Sequence, residues 1–396
     1  MKVSLFVVLS GLFATASLLV VGWFASAPSS RANLVMPGLT AWNRAIAEAA
    51  PDVAPAMVPN PTTATPADVR RFVGRLTAAQ RATLIRLAPA AVGNLDGMPI
   101  TMRYAANELT MAAASPGTPA TAASRFAVSR AATSRPASAR SQSVQFSRAI
   151  AAGGTGPDRT DQGRPPGRTL AYDPRGDGRV VQVLGDLGAA EHIVVLVPGS
   201  SWRLDNTLRW PPGSRVTPLE NAAVLASELG PSAAVVVWLG YDTPERVDLA
   251  AIGSARAVPG AVALRRFLAG LPAAHTTLLC HSYGTVVCGR AVAAGAKVDD
   301  LVAIASPGLD VNRARKLPSA ARVWAARTPD DPIQVTPPVR IFGLGHGTAP
   351  IDPAFGARVF RVGAARGHDG YLTPGTESLA NIVRIVLGRP AEVTLR

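Results

Sequence analysis

The sequence predicts an α/β architecture over residues 169–390, a largely parallel, eight-stranded sheet flanked by helices. From Thr169 onward, short apolar runs alternate with helical stretches, the texture of βαβ units wrapped around one sheet. The central runs are apolar throughout, as strands are when both faces of a parallel sheet are covered. The expected strands are Thr169–Tyr172, Val180–Leu184, Ile193–Val197, Ala233–Trp238, Thr276–Leu279, Leu301–Ala305, Arg322–Ala326 and Arg358–Val362. Helices are expected at Leu219–Leu229, Ala255–Leu268, Tyr283–Ala294 and Thr376–Leu387.

Three segments precede this region. Residues 1–30 carry an uncharged apolar run, Val3–Phe24, directly after Lys2. About twenty apolar residues cross a bilayer as a helix. Ala25-Ser26-Ala27 is a candidate signal-peptidase site, but the run is long for a signal peptide and Pro28 disfavours cleavage. An uncleaved membrane anchor is therefore preferred to a cleaved signal that would release a secreted protein. In either case Lys2 holds the N-terminus inside and the remainder faces the cell envelope or the exterior.

Residues 31–114 read as a small helical segment. Thr65-Pro66-Ala67-Asp68 and Thr77-Ala78-Ala79-Gln80 have the spacing of capping boxes, the second followed by Leu84, Ile85, Leu87 and Ala88 on one face. A Gly93–Gly97 turn then leads into a third helix near Ile100–Ala114. Residues 115–168 are Ala, Ser, Thr, Pro, Gly and Arg, with Arg125, Arg130, Arg135 and Arg140 spaced by fives. Such a composition buries too little to offset its ordering entropy, so a disordered linker with solvated arginines is expected.

The formal charge is +14 and rests on arginine, since Lys2, Lys297 and Lys316 are the only lysines. That charge attracts anionic surfaces non-specifically. No basic and aromatic cluster and no recognised module accompanies it, so nucleic acid is not an expected partner. Cys280 and Cys288 are the only cysteines, which excludes a disulfide framework and a paired zinc motif, and no metal or cofactor is expected. Two buried free thiols are the expectation. A bridge is the alternative, because Cys288 shares a helical face with Gly284, which packs close to Cys280.

The chemistry centres on Thr276-Thr-Leu-Leu-Cys-His-Ser-Tyr-Gly-Thr285, a strand running into Ser282 and then a helix. A nucleophile exposed on so tight a turn needs small residues two positions before and after it. Cys280 and Gly284 meet that need, with cysteine where glycine is usual. A serine hydroxyl is a poor nucleophile until a base takes its proton. His192 and His275 enter strands at the wrong end, and His281 is locked into the elbow; His346 lies in a Gly-rich loop. His368, after the last strand and before the final helix, is the expected base. The acid that orients it is expected at Asp331, in Asp330-Asp331-Pro332-Ile333 after the seventh strand, with Asp330 and the more distant Asp310 as rivals. Oxyanion donors are expected from the amide of Tyr283 and from Ser200 or Ser201, in the loop where Gly199 permits close approach. Trp202 and Trp238, at strand C-terminal ends, are candidates to line an acyl pocket or simply to pack.

The stretches VVLVPG, VVWLGYDTP, CHSYGT, DDPI, FGARVF and GHDGYLTPGTESLANIV resemble an actinobacterial α/β-hydrolase family known only as a domain of unknown function. LTAAQRATLIRLAPAAVGNLDGMP is similar to the helical segment that precedes the hydrolase domain in that family. The resemblance implies the α/β-hydrolase fold and the triad Ser282, Asp331 and His368, but no substrate. The expected activity is cleavage of a small carboxylic ester or thioester through an acyl-enzyme, since Pro307–Ala321 is too short for a large lid. An amidase or peptidase on the same triad is the enzymatic alternative. A non-catalytic binding protein of this fold is the alternative of another class.

Overall fold

The structure, a computed structural model, describes residues 36–114, 167–208, 216–245, 249–317, 321–337 and 344–396. Helices α1 (Leu39–Ala49), α2 (Pro66–Arg75), α3 (Ala78–Leu87), α4 (Pro89–Asn94) and α5 (Ile100–Ala114) come first. Then follow β1 (Arg168–Asp173), β2 (Arg179–Leu184), β3 (His192–Val197), α6 (Leu204–Thr207), α7 (Pro218–Leu229), β4 (Ala233–Leu239) and α8 (Leu249–Ile252). The remainder is α9 (Ala257–Gly270), β5 (His275–His281), α10 (Gly284–Ala293), β6 (Asp300–Ile304), β7 (Arg322–Ala326), β8 (Arg358–Val359) and α11 (Glu377–Val386).

The eight strands form one sheet in the order β1-β2-β4-β3-β5-β6-β7-β8. The pairs from β4 and β3 through to β8 are parallel, whereas β1 with β2 and β2 with β4 are antiparallel. β3 and β5 are neighbours in the middle, with Val197 opposite Cys280, so the turns that leave their C-terminal ends meet. One face of the sheet packs against α9 and α10 through residues such as Leu264, Phe267 and Val287. The other packs against α7 and α11 through residues such as Leu225 and Ile382. Hence β4 and β6 are buried along their whole length, as their continuous apolar sequences anticipate.

All eight expected strands form, though β8 stops at Val359 because the chain then turns to meet Thr394 and Leu395. Both expected capping boxes are present, at Thr65 with Asp68 and at Thr77 with Gln80, each contributing about 1 kcal/mol. Helix α1 lacks such a signal. Its cap is Gly38, at φ 71°, and what holds it is a stripe of Trp42, Ala45, Ile46 and Ala49 facing inward. The apolar run Val3–Phe24 and most of the expected linker lie outside the described residues. Among the described residues no helix is long and apolar enough to cross a membrane.

The helical segment is fastened to the exposed edge of β1. Asn94 accepts from the Tyr172 amide (3.1 Å) and donates to the Tyr172 carbonyl (2.8 Å), the two bonds a neighbouring strand would supply. Arg103, 5% exposed, donates to the carbonyls of Gly93 and Leu170 and to Asp96. Asn107 joins Gly93 to Thr169 in the same way. An unpaired strand edge is a template for pairing with other chains, and here side chains cover it. Asn94→Ala, which strands both Tyr172 groups, is expected to lower unfolding free energy by about 2 kcal/mol, read from the urea midpoint.

Candidate active site

Ser282 follows β5 with φ 54°, the left-handed conformation that a sharp strand-to-helix turn imposes. Its amide donates to Ile304 O (3.1 Å), and its carbonyl accepts from Thr285 Oγ1 (2.7 Å). A Cβ at Gly284 would fall 2.4 Å from the Val197 carbonyl oxygen, and one at Gly199 would fall 2.6 Å from Ser282 Cβ. Both positions therefore require glycine. The four described non-glycine residues with left-handed φ are Ser201, Ser282, Ala305 and Asp310, all at or just beyond the C-terminal ends of β3, β5 and β6. Each costs about 1–3 kcal/mol, and such strain concentrates where function demands a particular geometry.

Cys280 and Cys288 are disulfide-bonded, which corrects the expectation of free thiols. The position two before the nucleophile usually takes glycine because the following helix passes close. Here the Cys280 side chain runs into that helix and ends in a covalent bond, with Cα atoms 6.6 Å apart and both residues fully buried. Strand and helix are thus joined across the turn that carries Ser282.

The structure brings the three expected residues together. His368 Nδ1 lies 2.7 Å from Asp331 Oδ1, and Nε2 lies 2.9 Å from Ser282 Oγ. A carboxylate only accepts, so Nδ1 carries the proton and Nε2 is left to accept from the serine hydroxyl. Asp331 is fully buried; it accepts from the Ile333 amide (2.9 Å) and from the Tyr371 hydroxyl (2.6 Å). Burial pushes its carboxyl up, but the bonds from His368, Tyr371 and Ile333 outweigh burial and hold it below its ordinary value. Tyr371 also accepts from the Thr328 amide (3.0 Å), so one phenol fixes both ends of the acid loop.

The rivals have other roles. Asp330 accepts from the Gly367 amide (2.9 Å), which holds its carboxyl below the ordinary value, and so it anchors the loop that carries His368. Asp310 is paired with Arg290. His346 is buried and donates from Nε2 to Ala251 O. His275, at the far end of β5, pairs with Asp300, which also takes Arg322 and Trp324. His281 donates from Nε2 to the His368 carbonyl (2.7 Å) and so steadies the His368 loop; burial and the neighbouring His368 push its pKa down.

Of the three expected oxyanion donors, Ser201 is displaced. Its amide donates to Pro244 O (2.7 Å) and its hydroxyl to Glu245 O (3.0 Å). Among the described residues no acceptor meets the amide of Ser200 or of Tyr283, and these flank the Gly199–Ser282 contact. Trp238 stacks on Tyr241 in the core, and Trp202 packs with Val180 and Leu239, so both tryptophans are structural. Among the described residues no cluster of His, Cys, Asp and Glu is arranged to hold a metal ion. The arrangement is suited to nucleophilic attack by a serine on an acyl carbon.

Sheet order, elbow and flanking helices define the α/β-hydrolase fold. Residues 173–341 match a family model described as Alpha/beta hydrolase, a span that contains Ser282 and Asp331 and stops short of His368. An uncharacterized protein of Mycobacterium tuberculosis is 28% identical over 383 residues, covering 84% of this chain and 57% of that protein. An uncharacterized protein of Mycobacterium bovis is 34% identical over 162 residues, covering 37% of this chain and 58% of that one. The chain thus spans less than two thirds of the length of these curated relatives. Among solved structures, esterase PE8 aligns with TM-score 0.34 and 18% identity, over 52% of this chain and 96% of that one. A lidless serine hydrolase from Xanthomonas campestris aligns with TM-score 0.35 and 16% identity, over 57% of this chain and 94% of that one.

Two measurements follow from the site. The Cys280–Cys288 bridge closes a loop over a sequence separation of 8, and replacing both cysteines with alanine is expected to cost about 2–3 kcal/mol of unfolding free energy. Tyr371→Phe is expected to cost about 2 kcal/mol at neutral pH. Because Asp331 is depressed in the fold, its stabilisation is present above an ordinary value near 3.9 and is lost as pH falls through the lower folded value. The gap between Tyr371→Phe and wild type should therefore narrow in urea titrations run at pH 3 rather than pH 7.

Proposed function

We propose that the chain is a serine hydrolase that cleaves a carboxylic ester or thioester through an acyl-enzyme on Ser282. The observation that carries this reading is the hydrogen-bonded series from Ser282 Oγ through His368 to Asp331, at 2.9 and 2.7 Å. In the first half-reaction Ser282 Oγ attacks the acyl carbon while His368 Nε2 takes its proton, and Asp331 stabilises the imidazolium. The amides of Tyr283 and Ser200 receive the charge on the carbonyl oxygen. Collapse expels the alcohol or thiol, protonated by His368, and leaves the acyl group on Ser282. Water then attacks that ester, giving its proton to His368; the second collapse returns a proton to Ser282 and frees the carboxylic acid.

The short connection between β6 and β7 supports a small acyl substrate over bulk lipid. A site facing the cell envelope completes the reading, with Val3–Phe24 as the membrane anchor. The Cys280–Cys288 bridge supports it, since disulfides persist in oxidising compartments.

A fluorophosphonate probe should label native protein at Ser282, and Ser282→Ala and His368→Ala should abolish labelling. Asp331→Asn should slow it by about 10⁴-fold, while Asp330→Asn should retain activity within about tenfold. Native protein that takes no label would point instead to a non-catalytic binding protein of the same fold.

A further inference from the structure

The motif VVWLGYDTP runs through β4 into the segment Tyr241–Glu245, which holds no member of the triad and lies along the loop after β3. The polar bonds between the two run in both directions. Tyr241 Oη donates to Pro198 O (2.7 Å) and, more weakly, to Gly199 O (3.4 Å). The Thr243 hydroxyl donates to Trp202 O (2.8 Å), and Ser201 gives its amide to Pro244 and its hydroxyl to Glu245. The carbonyls of Pro198, Gly199 and Trp202 and the amide of Ser201 are thereby tied down, while among the described residues the amides of Gly199 and Ser200 meet no acceptor.

A trans peptide is planar, with its N–H antiparallel to its C=O. Holding the carbonyls of Pro198 and Gly199 therefore fixes the direction of the Gly199 and Ser200 amides. The loop that carries them lies against Ser282, since a Cβ at Gly199 would fall 2.6 Å from Ser282 Cβ. Should either peptide rotate, a carbonyl oxygen would point where the amide now does, and an oxyanion would be repelled.

The Tyr241 ring is itself immobilised. It stacks on Trp238 (centroids 6.1 Å apart, planes at 13°) and on Tyr283 (6.5 Å, 17°), and a Cβ at Gly260 would come within 3.1 Å of its Cγ. Its phenol is 2% exposed, and burial pushes its pKa well above the ordinary value, so the hydroxyl keeps the proton that it donates. Through Pro198 it meets one oxyanion loop and through Tyr283 the residue that supplies the other amide.

We infer that Tyr241 is a positioning residue, whose hydroxyl orients the peptide groups of residues 198–200 so that the Ser200 amide stabilises the oxyanion; this rests on the serine-hydrolase reading above. The hydroxyl never touches substrate. Its loss should be felt in the transition state and not in ground-state binding.

The test compares purified full-length wild type with Tyr241→Phe, which keeps the stacked ring. The readouts are the fluorophosphonate labelling rate, kcat and KM for p-nitrophenyl butyrate, and inhibition by phenylboronic acid, which forms a tetrahedral adduct on serine. The expected result is a labelling rate and kcat lowered about 10- to 100-fold, a matching loss of boronate affinity, and KM within about threefold of wild type. Labelling and boronate affinity within twofold of wild type in folded Tyr241→Phe would overturn the inference and leave the serine-hydrolase reading standing. Wild type that takes no label overturns both. If Tyr241→Phe fails to melt cooperatively, Thr243→Val decides: labelling slowed at least threefold in that folded variant supports the positioning role, and a smaller effect overturns it.

Discussion

The turn after β3 and the turn after β5 approach each other so closely that neither tolerates a side chain at the point of contact. A methyl group at Gly284 would enter the Val197 carbonyl, and one at Gly199 would enter Ser282. That approach follows from β3 and β5 being parallel neighbours with Val197 opposite Cys280. It sets the loop that carries Ser200 against the turn that carries Ser282 and Tyr283. The rest of the molecule holds the pair of turns still: a disulfide behind one, the Tyr241–Glu245 segment behind the other, and the loops after β7 and β8 closing from the side.

Those side loops are cross-braced. Thr328 and Asp330 grip Gly367 by its carbonyl and its amide, and Tyr371 returns a hydroxyl to Asp331. His281 holds the His368 carbonyl from the nucleophile's own strand. Asp331 and His368 are thus placed by one network instead of two separate loops. The strain at Ser201, Ser282, Ala305 and Asp310 is sustained because each lies where neighbouring elements fix it.

Much of this was legible in the sequence, for identifiable reasons. The strands could be read because continuous apolar runs leave few other structures open. The position of Ser282 could be read because a tight strand-to-helix turn demands small residues at fixed offsets, and that of His368 because it follows the last strand. Asp331 could not be separated from Asp330 by sequence, since adjacent carboxylates differ only in which way each points. Pro332 and the bond from Tyr371 settle that direction, and Tyr371 is 40 positions away. Tyr241 was invisible for the same reason: its partners Pro198 and Gly199 are more than forty positions distant. Ser201 looked equivalent to Ser200 until Pro244 took its amide. Helix α1 carries a clear apolar stripe but begins at a glycine instead of a capping side chain, so its start had no signal.

The cystine behind Ser282 bears on how the molecule opens. Both sulfur-bearing residues have no solvent exposure once β5 and α10 are packed. An oxidant therefore reaches the thiols only while that packing is still open, and a reductant meets the same barrier afterwards. Formation and reduction of the bond are thus both coupled to opening of the packing between β5 and α10, so the rate at which a reductant cleaves it reads out how often that packing opens.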